Sequence, residues 1–172
     1  MKVLLVIDVQ KYFINDNTKH LPKKIADFID KNKFDYILFF KYFNHPDSNF
    51  VKIHHWNKMF GPPETDIVPE LTKYVTENNL FNKFSFSIFR SEGLDEFLRA
   101  HSIKELYLCG IDTDACVFTS EMEAFEKDYN ARVIGDLCAS HSGIAYHRKA
   151  IDLIKENLGE QAVMTTKEVN RI

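Results

Sequence analysis

The stretch Val3-Leu4-Leu5-Val6-Ile7 has no polar face, and this is the tightest constraint the chain carries. A strand with one wet side alternates apolar and polar residues. An unbroken apolar run needs cover on both faces, which parallel sheets obtain from the helices that connect their strands. The rest of the chain supplies that alternation. Further strands are expected at residues 36–40, 105–109, 131–134 and 162–164. Helices are expected over about 21–32, after Ser91 as a cap with Leu94, Phe97 and Leu98 on one face, and after Cys116 with Phe118, Met122 and Phe125 turned inward. A last helix carries Ile144, Ile151, Ile154 and Leu158 on one stripe. With no repeat, low-complexity stretch or linker, residues 1–172 are expected to form one three-layer α/β/α domain around a mostly parallel, doubly wound sheet.

Composition narrows the partners. A length of 172 residues suffices for one substantial core, and 45% hydrophobic with 27% charged residues is ordinary for a globular chain. The 22 basic and 25 acidic residues leave a formal charge of -3, which gives no electrostatic case for nucleic acid or an anionic membrane surface. No apolar run reaches membrane-spanning length, and the first residues already read as strand, so neither a membrane span nor a secretory leader is expected. Three scattered cysteines, an odd number, fit reduced thiols in the cytoplasm.

Three segments bring chemistry to strand ends. Asp8 closes the first strand, and in open parallel sheets the ligand crevice lies beyond the carboxyl ends of the strands. An Asp that merely starts a turn or caps a helix is the rival reading. In the run Leu108-Cys109-Gly110-Ile111-Asp112-Thr113-Asp114-Ala115-Cys116-Val117-Phe118, a strand ends, the chain turns at Gly110, and Cys116 arrives at the start of a helix. Unpaired N–H groups and the macrodipole there favour a thiolate and offer donors to a neighbouring oxyanion. On position alone a small core residue is the commoner reading of Cys116, and its company elsewhere in the chain is what favours catalysis. The third segment is Phe81-Asn82-Lys83-Phe84-Ser85-Phe86-Ser87-Ile88-Phe89, whose alternation puts Lys83, Ser85 and Ser87 on one face of a short strand and the aromatics on the other.

Asp8-x-Gln10, Lys83 with Ser87-x-Phe89, and Gly110-x-x-Thr113-x-x-Cys116-Val117, in that order over nearly the whole chain, resemble the isochorismatase-like cysteine hydrolase superfamily. Nicotinamidases, N-carbamoylsarcosine amidases and isochorismatases belong to it. The resemblance implies a Rossmann-like fold and a catalytic triad of Asp8, Lys83 and Cys116. It also implies an oxyanion hole made by the backbone N–H groups of Asp112 and Cys116, with a cis peptide between Ile111 and Asp112. The chemistry is coherent: Lys83 favours the thiolate electrostatically, and Asp8 takes the thiol proton and returns it to a leaving nitrogen through a thioester intermediate. The leading expectation is therefore a hydrolase of a small amide or ureide C–N bond. An isochorismatase-type vinyl ether hydrolase, protonating through Asp8, is the first alternative. A non-catalytic ligand-binding or assembly module of the same fold is the second.

Residues 42–70 hold four of the five prolines, adjacent histidines and the only tryptophan. Long irregular connections are often functional, so His54, His55, Trp56 and Phe60 are candidates to cover the substrate, against a surface excursion packing its own aromatics. The pocket is expected to include Gln10, Phe13, Trp56 and Ser87. Nicotinamidases of the superfamily hold a metal through an Asp-x-His pair and a further His. Here Phe43 stands in the place of that Asp, before His45, so no metal and no cofactor are expected. Cys109 reads as core, and Cys138 as a possible border of the crevice. Asp112 and Asp114 read as capping residues. His141, His147 and Arg148 read either as anion-binding groups or as helix surface. The aromatic loop, with Trp56 and Phe60 costly to leave exposed, and the resemblance together lead to the expectation of a homo-oligomer, a dimer or larger.

Overall fold

The computed structural model describes residues 1–169. Six parallel strands form one sheet: β1 (Lys2–Ile7), β2 (Tyr36–Tyr42), β3 (Leu80–Lys83), β4 (Glu105–Ile111), β5 (Asn130–Ala139) and β6 (Val163–Met164), in the order β3-β2-β1-β4-β5-β6. The helices are α1 (Leu21–Lys31), short α2 (Asn49–Lys52) and α3 (Pro69–Thr72), α4 (Leu94–Ala100), α5 (Phe118–Glu126), α6 (Ile144–Leu158) and short α7 (Thr166–Val169). Parallel crossovers are right-handed, so moving outward from β1 in opposite directions places the connecting helices on opposite faces. In agreement, α1 packs beside α3, and α5 beside α6. That double cover is what the apolar run of β1 requires, and Val3 to Ile7 are all buried.

Strand order reverses between β1 and β4, and the sheet opens a crevice beyond their carboxyl ends. Gly110 sets the closeness of those two strands. It pairs with Ile7, its φ is +128°, and a Cβ there would stand 2.1 Å from the Ile7 carbonyl oxygen. Only glycine lets β4 press this tightly on β1 before it turns toward Cys116.

Several local expectations are corrected. Ser91 does not cap α4: Gly93 holds the N-cap position, with no side-chain cap, and Ser91 Oγ is buried without a hydrogen-bond partner. In α5 the buried residues are Ser120, Glu121 and Ala124, while Phe118 and Met122 are only half-buried and Phe125 is exposed. A π-helical turn over Thr113–Val117 precedes this helix and shifts its phase relative to a regular 3.6-residue reading from Cys116. Strand β3 ends at Lys83, so Ser85 and Ser87 do not continue a strand face; Phe84 and Phe86 are exposed. Strands β4 and β5 run past their expected ends, because pairing resumes beyond an irregularity between Leu108 and Gly110 and joins Gly110 to Cys138 and Ile111 to Ala139. Among the described residues no helix is long and apolar enough to cross a membrane.

Candidate active site

Asp8 follows β1, Lys83 ends β3, and Cys116 lies in the turn after β4; the parallel register brings all three to one end of the sheet. Lys83 is fully buried, and its Nζ lies 2.7 Å from Asp8 Oδ2 and 3.3 Å from Cys116 Sγ. It also donates to the carbonyls of Ser85 at 2.8 Å and Phe86 at 3.2 Å, while the Tyr42 ring stands 5.2 Å from it. These contacts explain why the chain bends immediately after Lys83 instead of extending β3: the two carbonyls are needed to solvate a buried ammonium. Asp8 is also fully buried, at a φ of 51°, a left-handed conformation that Asp tolerates better than most residues. Its carboxylate has the ammonium contact but no well-formed hydrogen bond, and the Cys116 thiol lies close enough to exchange charge effects with it.

Burial pushes the Asp8 carboxyl above its usual range against the pull of Lys83. Burial and the neighbouring Asp8 likewise raise the Cys116 thiol well above its ordinary value, and Lys83 only partly offsets this. Burial alone would lower the Lys83 pKa, but Asp8 and Cys116 outweigh it and keep the ammonium charged. Burial and the adjacent Asp8 thus oppose the preference for a thiolate that a helix N-terminus provides. Asp8, Lys83 and Cys116 therefore titrate as one coupled set, with each group's shift set by burial and by the other two.

The turn that carries Cys116 is held on several sides. The Ile111–Asp112 peptide is cis. The Asp112 carbonyl accepts from the N–H groups of Ala115 at 3.1 Å and Val117 at 3.0 Å. Ser120 Oγ donates to the Cys116 carbonyl at 2.6 Å and accepts from the Ile88 N–H at 3.1 Å. The Asp112 carboxylate accepts from the His141 backbone N–H at 2.7 Å and meets the His141 ring through Nδ1. Thr113 Oγ1 lies 2.8 Å from His147 Nδ1.

Above Cys116 lies a cavity of about 390 Å³ whose wall is largely aromatic, from Phe13, Tyr42, Phe50, Trp56 and Phe86. The loop of residues 42–70 therefore contributes Phe50, His54 and Trp56 to it, whereas His55 and Phe60 are exposed and outside it. Trp56 Nε1 donates to Tyr12 Oη at 2.9 Å, and the indole stacks on Tyr42 at 6.0 Å between centroids. Of the four expected pocket residues, Phe13 and Trp56 line this cavity; Gln10 and Ser87 do not. Gln10 is fully buried and spends its amide on backbone groups, donating to Tyr42 O and Thr65 O and accepting from Tyr42 N–H. Ser87 accepts from Phe89 N–H and lines an adjacent hollow with Ser85 and Arg90. The cavity lining contains Asp112, Asp114, His54 and His141, but no Lys or Arg.

Cys109 is buried core, and Cys138 is buried beside it with its thiol pushed up to about 12 by desolvation. His141 faces the cavity, His147 grips Thr113, and Arg148 is exposed and outside the lining. Tyr42, Phe50 and Phe86 were not identified from sequence. The register that pairs Tyr42 with Lys83 was a usable signal for the first. The metal-ligand arrangement of nicotinamidases does not fit here. Phe43 packs its ring against Phe84 and under the Lys41 ammonium, and no three His, Cys, Asp or Glu side chains cluster to hold a metal among the described residues.

A buried Asp-Lys-Cys set at the switch point of a doubly wound parallel sheet defines an α/β protein of the isochorismatase-like hydrolase class. The chain belongs to the isochorismatase family: the model of the Isochorismatase domain matches residues 2–168. It is similar to isochorismatase domain-containing protein 2 of Xenopus laevis, 31% identical over 77 residues, covering 45% of this chain and 37% of that protein. Nicotinamidase 3 of Arabidopsis thaliana is 26% identical over 144 residues, covering 80% of this chain and 72% of that protein. The match thus spans little more than a third of the Xenopus relative's length. Among solved structures, an isochorismatase-like hydrolase from Alkaliphilus metalliredigens superposes with a TM-score of 0.81 at 20% identity, over 99% of this chain and 97% of that one. N-carbamoylsarcosine amidase from Thermoplasma acidophilum gives 0.73 at 20% identity, over 96% of each chain. At such identities the likeness establishes the fold.

Proposed function

We propose that this protein, acting as one domain, hydrolyses the C–N bond of a small amide or ureide through a thioester on Cys116. The carrying observation is that Lys83 Nζ reaches both Asp8 and Cys116, at 2.7 and 3.3 Å, beneath an aromatic cavity. As Sγ attacks the carbonyl carbon, a C–S bond forms, the carbonyl π pair moves to oxygen, and the thiol proton passes to Asp8. Lys83 holds the negative charge that appears on sulfur. Backbone N–H groups of Asp112 and Cys116 are the assigned donors to the oxyanion, and one such donor is worth roughly a hundredfold in rate. Collapse breaks the C–N bond, and Asp8 returns its proton to the leaving nitrogen. Water, deprotonated by Asp8, then breaks the C–S bond; the acid leaves and the thiol recovers its proton. The raised Asp8 carboxyl suits a group that must both take and give a proton.

The cavity supports an amide over an isochorismate-type dianion, because its lining has no Lys or Arg to pair a carboxylate. No metal step is assigned, given Phe43 where a metal-binding relative needs a carboxylate. The reading includes a cytoplasmic homo-oligomer acting on a small molecule. A panel of small amides, quenched with acid and analysed by intact mass, tests it. An acyl mass on Cys116, released by hydroxylamine and lost in Cys116→Ala, is the expected result; turnover persisting in Cys116→Ala sinks the proposal.

A further inference from the structure

Asp112 is an odd residue to find at an oxyanion turn. Its backbone N–H is assigned to stabilise negative charge, while its own carboxylate adds negative charge a few bonds away and bears on Asp8 as a repulsive neighbour. The β5–α6 connection answers this. From 29 residues downstream, His141 supplies its backbone N–H to Asp112 Oδ1 at 2.7 Å and its ring Nδ1 to Oδ2, so both carboxylate oxygens are engaged by one residue. The His141 carbonyl accepts from Asn15 at 2.8 Å and Asn17 at 3.1 Å, and the Phe13 ring packs against the imidazole at 5.8 Å, so the histidine is itself held in place.

We propose that His141, as an imidazolium, is a positioning residue for the nucleophile turn: it fixes Asp112 and cancels the carboxylate charge beside the oxyanion site. The inference rests on Cys116 being the nucleophile. The charged groups bearing on His141 are Asp112 and Asp114, both from the turn after β4. On the N-terminal segment its neighbours Phe13, Asn15 and Asn17 are uncharged; from α6, His147 bonds Thr113 instead and is held below its ordinary range by burial. Bonding to Asp112 raises the His141 pKa despite partial burial. A neutral imidazole can keep a proton on Nδ1 and preserve the bond, so loss of the charge separates from loss of the geometry.

A reversible probe of oxyanion stabilisation is benzaldehyde carrying ¹³C at its carbonyl. Addition of the Cys116 thiol breaks its S–H bond and forms a C–S bond; the carbonyl π pair moves to oxygen and the thiol proton passes to Asp8, leaving a hemithioacetal oxyanion visible by ¹³C NMR. Its formation constant should fall about tenfold as His141 deprotonates, the scale of a unit charge a few ångströms away under near-aqueous screening, as fits a partly exposed imidazole. The same midpoint should appear in the His141 ring proton titration, above the ordinary histidine value. Asp112→Asn should flatten this fall and move the His141 midpoint down. His141→Gln, which retains a donor without the charge, should form the adduct weakly at every pH, and the double variant should regain most of the loss. A formation constant with no limb at the His141 midpoint, or a limb unchanged in Asp112→Asn, overturns the inference while leaving the nucleophile intact. Absence of a Cys116 adduct in the unaltered protein removes the nucleophile assignment and this inference with it. Should either variant fail to fold, the ring titration and adduct constant of the unaltered protein still decide, since the two midpoints must coincide.

Discussion

Replacing Lys83 with Met keeps the stem and removes the ammonium that lies 2.7 Å from Asp8 in a site without solvent. Breaking a buried pair from one side typically costs about 3–5 kcal/mol, because the remaining charge is left uncompensated. The structure makes that cost pH-dependent. Burial already raises Asp8, and loss of its cation raises it further. A carboxyl whose folded pKa lies above its unfolded one contributes stability that is fully present below the unfolded pKa and is lost as pH rises through the folded pKa. Each pH unit in that window is worth about 1.4 kcal/mol. Lys83→Met should therefore lose stability more steeply than the unaltered protein as pH rises, with a deficit that is smaller at pH 5 than at pH 8 and reaches about 3–5 kcal/mol at the alkaline end. Urea unfolding of both proteins at pH 5, 6.5 and 8, with Asp8→Asn/Lys83→Met to close the cycle, measures it. The double variant should lose most of the pH slope. A deficit that is the same at all three pH values, or smaller than about 1 kcal/mol at pH 8, refutes the claim that Asp8 and Lys83 form a solvent-excluded charge pair.

Other outcomes follow from particular residues. Gly110→Ala places a methyl against the Ile7 carbonyl at an unfavourable φ, so the soluble yield and melting temperature should drop, with a cost of about 3 kcal/mol or more. Glu121 is buried with Oε2 unpartnered and its carboxyl pushed up to about 8 by desolvation, so native stability should fall between about pH 5 and 8 as the unfolded carboxyl ionises and the native one holds its proton. Urea midpoints in Glu121→Gln should lack that part of the slope. Elemental analysis of protein purified without added metal should show no stoichiometric zinc, iron or manganese, and chelator should leave amide hydrolysis unchanged; stoichiometric metal with chelator-sensitive nicotinamide hydrolysis would reverse this.

What could be read from the chain and what could not divide along the range of the interactions. The apolar runs of β1, β2 and β4 are local signals, and a parallel register among them carries Asp8, Lys83 and the turn after Gly110 to the same sheet end. The misplaced details depend on burial and pairing that arise only once the chain has folded. Ser85 and Phe86 leave the strand because their carbonyls serve a buried ammonium, and β5 lengthens because Cys138 and Ala139 find partners on β4. Gln10 is an expected pocket residue, yet its amide closes a gap between Tyr42 and Thr65, 32 and 55 residues away. The state of Cys116 shows the same limit in energetic form. A helix start is visible in sequence and favours a thiolate, but desolvation and the proximity of Asp8, which raise the thiol, exist only once three strand ends have converged. Under the proposed mechanism, the reactivity of Cys116 should therefore track proton exchange between Asp8 and Cys116 more closely than the helix that presents the thiol.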